Sequence, residues 1–432
     1  MKTQVTTLKN GLTVILADTG AFPTVSTLLL VGAGSRYENE KNNGVAHFFE
    51  HMAFKGSKKY PNSFIITSKI EGLGGAFNAF TSKDHTGYWI KSTTAHFEPV
   101  LDVIADMVQH SLLENEEIER EKGVIREEIN LYEDTPYRKI GDIFESFIYD
   151  GNPLGYDIAG TKESVSAFTR RTFVDYIDAL YHPNNAVLVV AGGLSQGKGE
   201  RGKGNDYLRL IEEKFGNWKN NTRATYIPIK EKQKSPQVLV KTKKTEQAHF
   251  ILGFRAFEML DKRRYALTLL TTILGGGMSS RLFMQVRERR GLCYYISTGR
   301  ELYYDCGTMT TQAGVTNDLK KVKEAITVIL KEHKDITRGN ITKDEMERAR
   351  ELVRGSMLLS LEDSFNVAAM LGRRKLLEGQ IMSPEETLAK IDKVTLDEVV
   401  AVAQDIIKPE GLNFAIIGPF EKSEITVKDL AF

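Results

Sequence analysis

Cysteine is nearly absent from this sequence: Cys293 and Cys306 are the two in 432 residues, and no CxxC spacing occurs. That argues against a secreted fold built on disulfides and reads as two reduced, structural thiols of a cytoplasmic protein. A surplus of charge is missing too. The net charge of +1 gives no general pull toward nucleic acid or an anionic membrane, so any binding must come from a local site. Long apolar runs are also lacking. The longest, around Val25 to Val31, falls far short of the roughly 20 residues that span a bilayer. The opening Met1-Lys2-Thr3-Gln4-Val5-Thr6 has no apolar h-region and reads as mature protein. These absences predict a soluble, cytoplasmic chain with no membrane and no nucleic-acid partner.

What is present is the composition of a globular protein, 41% hydrophobic and 27% charged. The chain is too long for one ordinary core, since domains run to roughly 100–200 residues. Leu8 to Leu16 reads as two extended runs around the turn Asn10-Gly11, and Ser26 to Val31 as a further strand. Pro99 to Leu113 has helical apolar periodicity, Glu114 to Tyr132 reads as a charged helix, and Gly44 to Phe54 as a helix after a strand. Strands mixed with paired helices indicate α+β or α/β layers.

The order of elements is written twice. Thr169, Pro183 and Gly192 match Thr395, Pro409 and Gly418 at one constant offset, each triplet framing helix, turn and strand. Glu117-Ile118-Glu119-Arg120 matches Glu345-Met346-Glu347-Arg348 at nearly the same offset. Two matches in register argue for a duplication. The join is expected in the polar stretch from Trp218 to Ser235, giving domains 1–222 and 223–432. The basic, glycine-rich run Ser195 to Gly204 is closed by no GKS or GKT, so it is no P-loop; a flexible surface insertion is expected there.

The chemistry concentrates in His47-Phe48-Phe49-Glu50-His51. On a helix His47 and His51, four apart, share a face and can aim ring nitrogens at one ion. Glu50 then stands beside the metal and suits a general base, the order of HExxH reversed. Phe48 and Phe49 are expected to face the core. Zinc requires a third protein ligand, and Glu121, Glu127 and Glu128 are candidates. Glu121 and Glu128, seven apart, share a face from which Glu127 is turned by about 100°. At the matching positions of the second half stand Ala349 and Ser356. A frame that persists while losing two carboxylates assigns both to something only the first half does: Glu128 as ligand, Glu121 as the carboxylate orienting a ligand.

With these residues in place, the sequence resembles the inverzincin family of pitrilysin, insulin-degrading enzyme and mitochondrial processing peptidase, in its half-length bacterial branch. The resemblance covers essentially the whole chain. It rests on Gly44 to Gly56, on Gly74-Gly75-Ala76-Phe77-Asn78-Ala79-Phe80-Thr81-Ser82, and on Arg281 to Tyr294 after Gly275-Gly276-Gly277. It implies one Zn2+ per chain on His47, His51 and Glu128, with Glu121 in support and Glu50 as base. It implies that Asn78 and Ala79 lie on an edge strand pairing with an extended substrate peptide, and that Arg287 and Tyr294 hold substrate carbonyls near the oxyanion. The implied fold is α+β: two duplicated α/β-sandwich domains, each a mostly antiparallel sheet with helices on one face, together half of a clamshell. The implied activity is zinc endoproteolysis of unfolded peptides in a homodimeric chamber, each zinc site borrowing Arg287 and Tyr294 from the other chain. A heterodimer with a related chain, a processing peptidase with a defined cut site and a catalytically silent scaffold subunit remain open.

Overall fold

The computed structural model describes residues 1–196 and 204–431; the expected insertion at 195–204 thus lies almost wholly outside the described residues. Along the chain run β1 (Lys2–Thr7), β2 (Thr13–Asp18), β3 (Thr24–Val31), α1 (Val45–Ala53), α2 (Ser63–Glu71), β4 (Ala76–Thr81), β5 (Thr86–Thr93), α3 (Phe97–Gln109) and α4 (Asn115–Glu133). There follow α5 (Pro136–Ile148), α6 (Lys162–Ala167), α7 (Arg170–Leu180), β6 (Ala186–Gly192) and α8 (Gly204–Phe215). The second half contributes β7 (Gln237–Thr242), β8 (Gln247–Ala256), α9 (Arg264–Gly275), β9 (Cys293–Leu302), β10 (Gly307–Thr316), α10 (Leu319–Thr337) and α11 (Lys343–Ser360). It closes with α12 (Ser364–Arg373), α13 (Pro384–Asp392), α14 (Leu396–Ile406) and β11 (Leu412–Gly418).

The opening hairpin forms where its turn chemistry requires. Gly11 takes φ +94° and Asn10 accepts from the Leu12 amide, so β1 and β2 pair antiparallel with Thr7 opposite Thr13. The first sheet has the order β1-β2-β6-β3-β5-β4 and the second β7-β11-β8-β10-β9. Without β1 the two orders are the same, each with one parallel pair, β2 with β6 and β7 with β11, among antiparallel ones. The repeat is physical as well. Thr169 and Thr395 both cap helices by capping boxes, and Gly192 and Gly418 both end the strand inserted beside the parallel partner.

Two compact units result. One comprises Met1–Leu131, Tyr156–Ile227 and Ser360–Met382, the other Tyr132–Gly155, Pro228–Leu359 and Ser383–Phe432. Each unit thus contains a segment from the opposite half of the sequence, and alternation along the strands shows what it does. In the first unit Leu188 and Val190 point into the main helical core, while Val187 and Val189 point to the other face, where Val367, Ala368 and Leu371 of α12 cover them. In the second, Phe250 and Leu252 separate in the same way, and Ile251 packs with Ile140, Ile143 and Phe144 of α5. Gly372 allows the close approach of α12: a Cβ there would meet Leu30 Cδ1 at 2.6 Å. Most helices of each unit lie on one face of its sheet, and one borrowed helix seals the other.

Candidate metal centre

Helix α1 divides cleanly. Phe48 and Phe49 are fully buried, Phe48 edge-on to Phe173 (5.0 Å between ring centres) and Phe49 edge-on to Tyr181 (4.8 Å). The opposite face presents His47, Glu50 and His51 toward α4. There the Glu128 Oε2 lies 3.6 Å from Nε2 of His47 and 3.6 Å from Nε2 of His51. At that length neither is a hydrogen bond. Among the described residues these three side chains form the group whose donor atoms all lie within 4.8 Å of one another. A tetrahedral zinc with bonds near 2.0–2.2 Å holds its ligand atoms roughly 3.4 Å apart. Two imidazoles and one carboxylate converging without bonding each other therefore fit such an ion.

The surrounding groups act in opposite directions on the two rings. Glu121, buried on α4, places Oε1 2.8 Å from Nδ1 of His51, while its Oε2 meets Lys55 Nζ at 2.5 Å. An Nδ1–H donated to Glu121 leaves Nε2 of His51 with its lone pair toward Glu128. Burial works against a charged Glu121, but His51 and Lys55 overcome it and hold the carboxyl below its usual range. At His51 burial pulls downward and the Glu121 hydrogen bond and charge win, so its pKa is raised. Burial, reinforced by His51, pushes His47 down to about 4, keeping its ring neutral.

Glu50 stands apart from the three donors. Its Oε2 accepts from Thr81 Oγ1 at 2.5 Å, and Thr81 belongs to β4, the free edge of the first sheet. Burial raises the Glu50 carboxyl above its usual range, with the Thr81 hydrogen bond opposing. Asn78 and Ala79 lie on the same edge strand, opposite Trp89 and Tyr88 of β5. The Ala79 amide donates to the Asn78 side chain (2.8 Å) rather than to a second strand. Arg287 and Tyr294 belong to the other unit. There the Arg287 guanidinium lies 5.6 Å from the Tyr294 ring centre and 4.6 Å from that of Phe283, and Tyr294 is 74% exposed on the edge strand β9. The sequence reading overlooked Lys55 and Thr81. Alternation along β4 places Thr81 on the same face as Ala79, and that was the available signal.

Fold and site together define a two-unit α/β scaffold with an inverted HxxEH helix. Residues 13–162 match the family described as Insulinase (Peptidase family M16), and residues 167–353 match the Peptidase M16 inactive domain. The chain is 34% identical over 414 residues to the "Uncharacterized zinc protease YmxG" of Bacillus subtilis (strain 168), covering 96% of this chain and 97% of that one. A solved protease from Helicobacter pylori superposes with a TM-score of 0.89 at 22% identity, over 97% of this chain and 99% of that one. A Pseudomonas fluorescens structure titled as a peptidase M16 inactive domain gives 0.87 at 19%, over 98% and 99%. This chain belongs to the insulinase (M16) peptidase family.

Proposed function

We propose that the chain is a zinc endopeptidase acting on unfolded peptides, with one zinc per chain held by His47, His51 and Glu128. The observation that carries this reading is the convergence of those three donor atoms beside a carboxylate that is not one of them. Bound zinc supplies Lewis acidity toward water and the scissile carbonyl. Glu50 takes the proton of the attacking water and returns it to the leaving amine. The extended substrate pairs with the free edge of β4, which fixes backbone and not sequence. Because Thr81 of that strand holds Glu50, peptide and base are aligned by one element. Arg287 and the exposed Tyr294, a cation–aromatic pair, receive the substrate carbonyl and the oxyanion, and the working unit is a dimer of this chain in the cytoplasm. No helix among the described residues is long and apolar enough to cross a membrane.

The test is Glu50→Gln. It is expected to retain zinc and lose cleavage of an unstructured peptide by several orders of magnitude. Zinc retained with cleavage intact would remove Glu50 from the mechanism. Purified wild-type chain without zinc and without chelator-sensitive cleavage would instead favour a silent scaffold, a role that the inactive-domain match over residues 167–353 also fits. A single cut site across mixed peptides would favour a processing peptidase.

A further inference from the structure

Helix α1 carries two of the candidate donors and the candidate base, yet it lacks a cap of its own. Its N-cap is Gly44, at φ +98°, with no side chain to accept from the first turn. None fits: a Cβ at Gly44 would meet the Ala159 carbonyl at 2.8 Å and Gly160 Cα at 2.9 Å. The missing acceptor comes from outside the helix. Glu38, 4% exposed, accepts from the Ala46 amide at Oε1 (2.8 Å), and from the Gly44 amide (2.8 Å) and Asn43 Nδ2 (2.9 Å) at Oε2. A carboxylate at a helix N-terminus satisfies orphan amides and complements the helix dipole.

The segment bearing Glu38 grips a second element. The Ser35 and Arg36 amides donate to the Ser82 and Lys83 carbonyls (3.2 and 2.8 Å), in the loop that directly follows β4. Gly34 is required by that approach, since a Cβ there would lie 2.4 Å from the Ser82 carbonyl. Burial pushes the Glu38 carboxyl up to about 8, opposed by its hydrogen bonds from Ala46, Asn43 and Gly44 and by the Lys83 charge. Three N–H donors on its two oxygens call for the ionised form, and Lys83 Nζ is anchored on the Tyr156 carbonyl at 2.6 Å. One short segment thus fastens α1, with His47, Glu50 and His51, to the end of the strand bearing Thr81.

We propose that Glu38 is a positioning residue for the metal helix and the peptide strand, its buried carboxylate standing in for the N-cap that Gly44 cannot supply. This rests on the zinc-peptidase reading. Glu38→Gln keeps the shape but turns an amide NH2 toward backbone amides or Asn43 Nδ2, donor against donor. Zinc affinity is expected to fall about tenfold, the lower end of what outer partners of a metal ligand contribute. With zinc saturating, kcat is expected to fall more than KM rises. The control is a core substitution on the same sheet, Leu188→Ala, compared at temperatures where both variants are folded; it is expected to leave zinc affinity and kcat unchanged. Zinc affinity of Glu38→Gln equal to the control would overturn the role of Glu38 alone, whereas a wild-type chain that binds no zinc would take down the reading beneath it. If Glu38→Gln does not fold, hydrogen exchange on the wild-type chain decides. Amides 44–50 are expected to be protected before zinc is added, and free exchange there would overturn the proposal.

Discussion

Nδ1 of His51 and Oε1 of Glu121 stand 2.8 Å apart, and the other Glu121 oxygen is held by Lys55 at 2.5 Å. This chain of three fixes which ring nitrogen of His51 remains free. Glu121→Gln removes the charge that holds the tautomer, and Lys55→Met leaves Glu121 buried with half its partners. Each is expected to weaken zinc binding by about 10–100-fold, the lysine variant toward the lower end. Competition against a chromophoric chelator reads this directly, without any assay of cleavage. Unchanged affinity in both would mean that Glu121 does not orient the ring.

On the reverse face of the same helix, Phe48 lies between Phe168 and Phe173, with no exposure. Phe48→Ala is expected to cost about 3–5 kcal/mol of stability, while Phe48→Leu, closer in volume, is expected to cost less. Chemical denaturation gives both values. A loss below 1 kcal/mol for alanine would mean that α1 is not seated on this core.

Much of this could be read before the structure, for physical reasons that differ by element. Asn10-Gly11 names its turn, and His47, Glu50 and His51 share a face by helical geometry alone. The internal repeat exposed Glu121 and Glu128 because Ala349 and Ser356 occupy a frame otherwise kept. The exchange of α5 and α12 was hidden: an apolar helix face states that it must be covered, not which sheet covers it. The apolar run Ala186 to Ala191 reads as a buried strand, and every residue of β6 is buried. Glu38 was invisible because two of its three partners are the backbone amides of Gly44 and Ala46, which carry no residue code.

Tyr294 and Arg287 bear on chemistry and not on metal loading. Tyr294→Phe is expected to lower kcat by about 10²–10³, the typical effect of losing one oxyanion donor, with zinc content unchanged. If the pair serves the zinc site of the other chain, mixing Tyr294→Phe with Glu50→Gln restores one intact site per mixed dimer. Activity should then recover to a fraction of wild type. Mixed dimers shown to form but remaining silent would rule out sharing.

The borrowed helix α12 makes the first unit depend on residues far along the chain. Ile15, Leu28, Leu30, Val187 and Val189 are buried beneath Val367, Ala368 and Leu371. Exposing five such side chains costs on the order of 10 kcal/mol, comparable to the whole stability of a domain. Residues 1–227 alone are therefore expected to melt without cooperativity and to bind a hydrophobic dye. Appending residues 360–382 through a flexible linker is expected to restore a sharp transition. A cooperative melt of 1–227 by itself would show that α12 is dispensable.

His333 gives the second unit an acid limit. It is buried on α10, its Nδ1–H donates to the Ile329 carbonyl at 2.7 Å, and burial depresses its pKa from 6.5 to about 4. The folded ring stays neutral where the unfolded ring takes a proton. Stability from this group is therefore complete above pH 6.5 and is lost progressively as pH falls through 6.5 toward about 4. Between pH 7 and pH 5 the loss is about 2 kcal/mol. His333→Leu removes the titration and fills the site with an apolar side chain. Its unfolding free energy is expected to fall less steeply than that of wild type over the same interval, by about that amount. Carboxylates titrate in both proteins and cancel in the difference. Parallel pH profiles would show that His333 is already charged in the fold, or that water reaches it.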